Sequence, residues 1–232
     1  MCGRFELHSA FEIIARLFGL TGGLITMPTG YNIAPGQDIA IIVNDGGQNR
    51  LSLCRWGFVP SWCKELNEGY KMINARAETV AEKPSFREAF SNTRCLVVAD
   101  GFYEWKHEGG KKRPFYIHRR DGKPFCMAGL YNRWTSPEGS HVCTSTIITT
   151  NANEVIAPIH DRMPVIMPPD LVDLWLDPGV HEKEKLLPIL KPYPDKELEL
   201  YEVSSRVNSP KIETAENIER PHNYKRVQPD HE

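Results

Sequence analysis

The chain lacks several features that would assign it to a specialised class of protein. No apolar run reaches about 18 residues, and no basic segment followed by an apolar one opens the chain, so we expect neither a transmembrane helix nor a secretory signal. There is no low-complexity tract and no internal repeat. The six cysteines form no CxxC pair, and no pair of Cys or His has the spacing of a zinc site. These absences predict a reduced, cytoplasmic protein without a bound metal.

The charge of the chain is close to neutral, but it is unevenly distributed. The formal net charge is −2, which does not by itself indicate nucleic-acid binding. Residues 1–150 carry 18 Lys and Arg against 14 Asp and Glu, whereas residues 151–232 carry 10 against 16. Basic residues cluster at 111–113 and at 118–120. Such patches suffice for a DNA-binding face. They are also typical of solvated hairpin turns, so charge alone leaves both interpretations open.

Many short apolar segments alternate with turn-forming residues, a pattern typical of a strand-rich domain. The predicted strands are 39–43, 51–56, 95–99, 102–106, 114–118, 125–131, 142–150 and 198–203. Serine and glutamate stand three apart at 9–12 and again at 85–88, which is the spacing of a capping box and predicts two helices. The first should carry an apolar face that includes Ile14, Leu17 and Phe18, and should end at Gly19. Short helices are also expected at 171–176 and 183–190.

These elements together predict the fold class. We expect a single α+β domain over residues 1–212, with a β-barrel-like core of mainly antiparallel strands flanked by short helices. Residues 213–232 are polar and contain proline, so we expect them to form a poorly ordered C-terminal tail.

The start of the chain, Met1-Cys2-Gly3, offers a specific chemistry. A small residue at position 2 permits removal of the initiator methionine, which would leave a free α-amine beside the Cys2 thiol. An α-amine has a pKa of about 8, so far more of it is neutral than of a lysine. Such an amine can form an imine with an aldehyde, and the thiol can then close a five-membered thiazolidine ring. On its position alone, however, Cys2 is more simply a small residue at a chain terminus.

Three further positions carry chemically useful side chains. Asn74 follows an apolar pair, and Glu104 lies between two aromatic residues, which predicts a raised pKa suited to proton transfer. His160 is followed directly by a carboxylate and a guanidinium. Taken singly, each has a structural explanation as a turn residue, a surface pair or a buried histidine.

Seven segments together carry a family resemblance. In order, they are MCGRF, YNIAPG, WGFVPSW, INARAET, DGFYEWK, IHDRMPVIM and VSSRVNSPK. On these motifs, from Cys2 to about Lys211, the chain resembles the SOS-response-associated peptidase family, whose members process abasic sites. The resemblance implies a compact α+β fold around a barrel-like core. It also implies that Cys2 becomes crosslinked to the ring-opened sugar of an abasic site in single-stranded DNA.

The resemblance assigns roles to individual residues of this sequence. Cys2 would be the nucleophile, and Asn74 would hold the sugar and the reacting cysteine. Glu104 would act as acid and base during imine formation and ring closure. His160 would assist proton transfer to the sugar oxygen and the reverse reaction.

The DNA-binding residues and partners also follow from the resemblance. Arg4, Arg76 and Arg162 would grip phosphates that flank the lesion, and Trp62 would stack on bases. The chemistry requires no cofactor and no metal. We expect a monomer that acts on abasic single-stranded DNA, with no obligate protein partner and no membrane association. The family name implies peptidase activity, which we expect at the Met1–Cys2 bond or in removal of the crosslink.

Two other functions compete with this interpretation. N-terminal-cysteine glutamine amidotransferases also begin Met-Cys-Gly, but the Asn-Gly-Glu segment usual in that class does not occur here. A non-catalytic single-stranded nucleic-acid binding module would use the basic hairpins and aromatic residues, but it leaves Glu104 and His160 unexplained. For Trp105, Trp134 and Trp175 we expect structural roles in the core or as surface anchors.

Overall fold

The structure is a computed structural model that describes residues 2–21, 26–66 and 71–220. In these ranges the chain forms twelve strands and four α-helices, together with short 3-10 helices. The strands are β1 (Phe5–Leu7), β2 (Gly30–Ile33), β3 (Asp38–Asp45), β4 (Gln48–Trp56), β5 (Asn74–Arg76), β6 (Arg94–Ala99), β7 (Gly101–Glu108), β8 (Lys111–Arg119), β9 (Phe125–Thr135), β10 (His141–Asn151), β11 (Arg162–Pro164) and β12 (Leu198–Glu202). The α-helices are α1 (Phe11–Phe18), α2 (Arg87–Asn92), α3 (Val172–Leu176) and α4 (Lys183–Leu186). The 3-10 helices are Pro169–Leu171, Leu187–Ile189, Asp195–Glu197, Ser205–Asn208 and Ala215–Ile218.

Five of the strands close into a barrel. Strands β4, β3, β6, β9 and β10 pair in that order, each antiparallel to the next. The ring is completed by β10 and β4, which run parallel with Thr144 opposite Arg55 and Ser145 opposite Trp56. Farther along, β10 pairs with β5 in parallel and with β11 in antiparallel orientation. The predicted α+β fold with a barrel-like, mainly antiparallel core is therefore confirmed.

A second, five-stranded antiparallel sheet carries the N-terminal strand. Its order is β12-β8-β7-β1-β2, so β1 lies between β7 and β2. The large core cluster is shared by the barrel strands and by β1, since Cys2, Phe5 and Leu7 belong to it. A smaller cluster on this sheet contains Tyr103 and Tyr116. The chain start is thereby fixed inside the fold, although it precedes the first strand.

Helix α1 ends where the sequence predicted, but it is not capped as predicted at its start. Gly19 ends the helix in the left-handed conformation at φ 61°, as predicted. The Ser9 capping box does not form, because the Ser9 hydroxyl donates to Asp100 and the N-cap is Ala10. Ile14 and Phe18 are buried, but Leu17 is 43% exposed and lies outside the buried face.

The other predicted helices differ from the structure in part. The Ser85 capping box is wrong, because α2 begins at Arg87 after Phe86 and no side chain caps it. The segments expected at 171–176 and 183–190 are mixed, each combining a short α-helix with a 3-10 turn. Within the described ranges, no helix is both long enough and apolar enough to span a membrane.

Gly101 is required where β1, β7 and β8 meet. It lies opposite Glu6 on β1 and His118 on β8. A Cβ atom at this position would overlap the ring of Tyr116, whose hydroxyl donates to the buried Glu6 carboxylate. A larger residue would therefore push the tyrosine away from its partner.

The cysteines are not all reduced. Cys54 on β4 and Cys143 on β10 are neighbours across the parallel pair that closes the barrel, and the structure joins them in a disulfide. The expectation of six thiols is therefore wrong at this pair, whose proximity arises only when the barrel closes. Cys2, Cys95 and Cys126 are buried thiols.

Part of the expected tail packs on the domain. The segment Ala215–Ile218 forms a 3-10 helix in which Asn217 is fully buried, and the backbone N–H of Tyr31 donates to Glu213. Residues of the predicted tail, beyond 212, therefore contribute to the packed structure. The domain boundary at 212 stays a prediction, and residues 221–232 lie outside the described residues.

Candidate active site

The pairing of β1 with β7 brings the chain start beside Glu104. Phe5 lies opposite Phe102, and the N–H of Tyr103 donates to the carbonyl of Arg4. Because antiparallel strands run in opposite directions, the residues before Arg4 run alongside Glu104 and the residue after it. Cys2 is fully buried there.

The environment of Glu104 shifts both its own titration and that of Cys2. The Glu104 side chain is 2% exposed, and this burial raises its pKa to about 7, with a smaller contribution from the charge of Asp161. Burial, reinforced by the nearby Glu104 charge, raises the pKa of the Cys2 thiol well above its usual range. Glu104 can therefore exchange a proton near neutral pH, whereas the thiol stays protonated. The raised pKa expected for Glu104 from the sequence is confirmed.

Asn74 holds Cys2 from the opposite side. Asn74 is the first residue of β5. This strand pairs in parallel with β10, just beyond the residues of β10 that pair with β4. Its Nδ2 donates to the carbonyl oxygen of Cys2 at 2.8 Å. Its Oδ1 is buried and has no hydrogen-bond partner among the described residues. A buried amide oxygen is costly to leave unbonded, so this atom is an available acceptor next to Cys2.

The hydrogen bond to His160 defines its tautomer. Its Nδ1 accepts from the backbone N–H of Arg162 at 2.9 Å, so the proton of the neutral ring sits on Nε2. Burial lowers the pKa of this imidazole, while the adjacent Asp161, with Oδ1 at 3.0 Å from Nδ1, acts in the opposite direction. His160 is thus a neutral N–H donor near pH 7.

Arg4 is fixed on one side and faces the site on the other. Its Nη1 donates to Asn32 Oδ1 at 2.6 Å and to the carbonyl of Val207 at 2.9 Å. The Asn32 amide also donates to the carbonyls of Ser209 and Ile212. The YNIAPG and VSSRVNSPK segments are therefore joined through Asn32, and this junction orients the Arg4 guanidinium.

An open cavity of about 420 Å³ lies over Arg4, Glu104 and His160, whereas Cys2 and Asn74 are not among its lining residues. Its lining residues are Arg4, Glu104, Trp105, His107, Lys112, His160 and Asn208. Arg4, Glu104 and His160 were predicted from the sequence. Trp105 packs against the cluster that contains Tyr103 and Tyr116, as its expected structural role requires. Its ring also lines the cavity, its Nε1 donates to Asn208 at 2.7 Å, and Arg4 lies 5.8 Å from the ring centroid. The tryptophans at 134 and 175 are buried core residues, as expected.

The remaining predicted DNA-binding residues lie outside this lining. Arg162 is buried, and its guanidinium makes two hydrogen bonds to Glu78, of 2.6 and 2.9 Å. It therefore braces β11 against the segment after β5 and does not project toward solvent. Arg76, at the end of β5, is exposed. Trp62 is 62% exposed, as a base-stacking residue requires.

A second polar cluster sits away from the cavity. Glu6, His8 and Asp100 bring potential ligand atoms within 4.8 Å of one another. However, Glu6 accepts from Tyr116 and lies 2.8 Å from His8 Nδ1, while Asp100 accepts from the N–H groups of His8 and Ser9. Because protein groups already engage these carboxylates, we assign the cluster a structural role at the start of α1.

Comparisons with known proteins assign the chain to a family. A family model described as "SOS response associated peptidase (SRAP)" matches residues 1–210. The chain belongs to the SRAP family. The abasic site processing protein YoqW of Bacillus subtilis is 48% identical to this SRAP protein over 225 residues, covering 94% of the chain and 99% of YoqW. YedK of Escherichia coli, another abasic site processing protein, is 32% identical and is matched over 79% of this chain and 83% of its own.

A eukaryotic relative and a solved structure extend the comparison. The abasic site processing protein HMCES of Xenopus tropicalis is 31% identical, with 80% of this SRAP chain and 64% of HMCES covered. A crystal structure of a Bacteroides thetaiotaomicron protein superposes with a TM-score of 0.85 at 29% identity, over 95% of this chain and all of that one. The fold and the family are thus established by independent comparisons.

Proposed function

We propose that this SRAP protein binds single-stranded DNA and, after removal of Met1, forms a covalent thiazolidine crosslink between Cys2 and an abasic site. One observation carries the proposal: Cys2 lies beside Glu104, whose pKa is about 7, with Asn74 bonded to its carbonyl. The names of the relatives, abasic site processing proteins, support the same substrate. The family match favours this function over the amidotransferase and the non-catalytic binding module.

The proposed reaction has two bond-forming steps. The Cys2 amine attacks C1′ of the ring-opened sugar, and Glu104 moves protons so that the carbonyl oxygen leaves as water and an imine remains. The thiol sulfur then adds to the imine carbon, and its proton goes to the nitrogen as the ring closes. The net reaction loses one water. A protonated thiol suits this order, because the amine must react first.

Two neighbouring groups assist the reaction. In this proposal His160 donates to a sugar oxygen, and the Asn74 Oδ1 accepts from the amine or from a sugar hydroxyl. Arg4, with Arg76, binds flanking phosphates, and Trp62 stacks on a base. For Arg162 we propose a positioning role, because its guanidinium is committed to Glu78.

The crosslinking experiment needs three forms of the protein. Met1-processed protein is mixed with an oligonucleotide that carries one abasic site, and the products are run on a denaturing gel. Cys2→Ala and a form that retains Met1, verified by intact mass both before and after the incubation, are the controls. We expect a heat-resistant shifted band with the processed protein alone. A band of equal intensity from either control would contradict the proposal.

We further propose that any peptidase activity is confined to the Met1–Cys2 bond of the chain itself. Cysteine proteases use an accessible thiolate of low pKa. Here burial raises the pKa of the Cys2 thiol and makes the thiol inaccessible to other proteins. Hydrolysis of this bond consumes one water and releases free methionine, so purified chain with Met1 retained should lose the mass of one methionine residue on incubation, and Cys2→Ser should not. Cleavage of an unfolded casein substrate would contradict this restriction.

A further inference from the structure

The cavity has a second end that the proposed chemistry does not use. His107 on β7 and Lys112 on β8 are direct cross-strand partners, and both line the cavity together with Trp105. Because side chains alternate along a strand, residues 105 and 107 share a face, and the partner of 107 lies on that face too. The Lys112 ammonium and the His107 imidazole therefore lie side by side on this face.

Two other basic residues of this hairpin are engaged by carboxylates. Arg113 makes two hydrogen bonds to Glu202, of 2.9 and 2.6 Å, and one to Glu108. Lys106 lies 3.2 Å from the same Glu108. In the described part of the chain, neither Lys111 nor Lys112 forms a salt bridge, but only Lys112 lines the cavity. The Lys112 charge is therefore not taken up by a salt bridge, and the one carboxylate among the described lining residues is that of Glu104.

An abasic sugar alone does not account for this end. The reacting sugar carries no base, and its chemistry is served by Cys2, Glu104 and His160. Glu104 and His107 both line the cavity. They stand three residues apart along β7, about 10 Å in an extended strand, and their side chains leave opposite faces of it. Phosphates attached directly to the reacting sugar lie closer to its C1′ than that. Lysine ammonium and imidazole N–H groups are common ligands of backbone phosphates.

We propose that His107 and Lys112 form a phosphate subsite that holds the DNA strand one step beyond the phosphates flanking the lesion. The subsite would align the strand along the β7–β8 hairpin while the sugar occupies the Glu104 end. The proposal rests on the proposed function, since it names how the same substrate is held. The basic segment 111–113 was open to two interpretations, a DNA-binding patch or a solvated hairpin turn. The proposal assigns DNA binding to one residue of the segment, Lys112.

The first test separates strand binding from covalent chemistry. In a Cys2→Ala background, binding of an intact single-stranded oligonucleotide is measured over a range of salt concentrations. Lys112→Gln should weaken binding about five- to tenfold and lower the salt slope by about 0.7, the value of one single-strand phosphate contact. Lys111→Gln is the matched control, because it removes the same charge from the opposite face of the same hairpin. Equal losses in the two variants would overturn the proposal.

The second test locates the phosphate. Neutral methylphosphonates replace one phosphate at a time on either side of the abasic site, and the rate of crosslinking is measured. The wild type should be sensitive at one position beyond the flanking phosphates, and Lys112→Gln or His107→Gln should abolish the sensitivity at that position only. Unchanged sensitivity in both variants would overturn the subsite. Absence of any crosslink with wild-type protein would instead refute the proposed function, while the binding data would still judge the subsite.

Discussion

Glu104→Gln should make the protein more stable and less active. The substitution keeps the size of a side chain that is 2% exposed but removes its ionisation. The wild-type carboxyl has a pKa of about 7 in the fold against an ordinary 4.5. This difference corresponds to about 3 kcal/mol of preference for the neutral form.

The sign of the pH dependence follows from the raised pKa. Below pH 4.5 the carboxyl is protonated in both folded and unfolded chains, so it contributes no difference. Between 4.5 and about 7 the unfolded chain releases its proton first, and the folded state loses stability until the full penalty is reached above 7. Glu104→Gln avoids this loss. It should raise the unfolding free energy by up to about 3 kcal/mol at pH 8 and by almost nothing at pH 4.5.

The assay compares two readouts on the same proteins. Urea unfolding at the two pH values gives the stability difference, with both proteins carrying the same N-terminus. The rate of crosslinking should fall about 10²- to 10⁴-fold, the usual contribution of acid–base catalysis. Glu88→Gln, on the exposed side of α2, is the control and should change neither. A stability gain that is equal at both pH values, or an unchanged crosslinking rate, would refute the role assigned to Glu104.

Three further substitutions test other parts of the structure. Asn74→Ala removes the hydrogen bond to Cys2 and should slow crosslinking about 10- to 100-fold on the gel assay while unfolding changes by only about 1 kcal/mol; an unchanged rate would exclude Asn74 from the site. Arg94→Met removes a buried guanidinium that donates to five backbone carbonyls, and it should lower the unfolding free energy by about 3–5 kcal/mol, whereas the exposed Arg87→Met should have little effect. Gly101→Ala should destabilise by about 1–3 kcal/mol in urea unfolding, because the added methyl group displaces a tyrosine ring; a neutral result would contradict the packing at that crossing.

The local pattern of the sequence predicted most of the strands, but not their closure. Paired glycines at 46–47 and 109–110 take positive φ angles in the tight turns that join β3 to β4 and β7 to β8, so these hairpins follow from neighbouring residues. The parallel contact of β4 with β10 joins residues far apart in the chain. No local pattern reports such a contact, and the Cys54–Cys143 disulfide depends on it.

The same limit applies to individual residues of the candidate site. Asn74, Glu104 and His160 were singled out because uncommon polar residues interrupt apolar segments in the order of a known family. The sequence does not show that Glu78 binds the guanidinium of Arg162, and the role of Arg162 in DNA binding stays a prediction. Nor does the sequence show that Trp105 lines the cavity, because an aromatic residue in a strand looks alike whether it faces a core or a cavity. The register of strand pairing distinguishes these cases, because it shows which residues share a face of the sheet.

The intact mass of the product formed by Met1-processed protein and a short abasic oligonucleotide, taken without any reducing agent, would decide whether Cys2 forms the proposed ring. We expect a species equal to protein plus DNA less one water, with the adduct mapped to the N-terminal peptide. Cys2→Ser keeps the amine but not the sulfur, so its adduct should be lost on denaturation unless it is first reduced. An equally stable adduct from Cys2→Ser, or one mapped to an internal lysine, would contradict ring closure at Cys2.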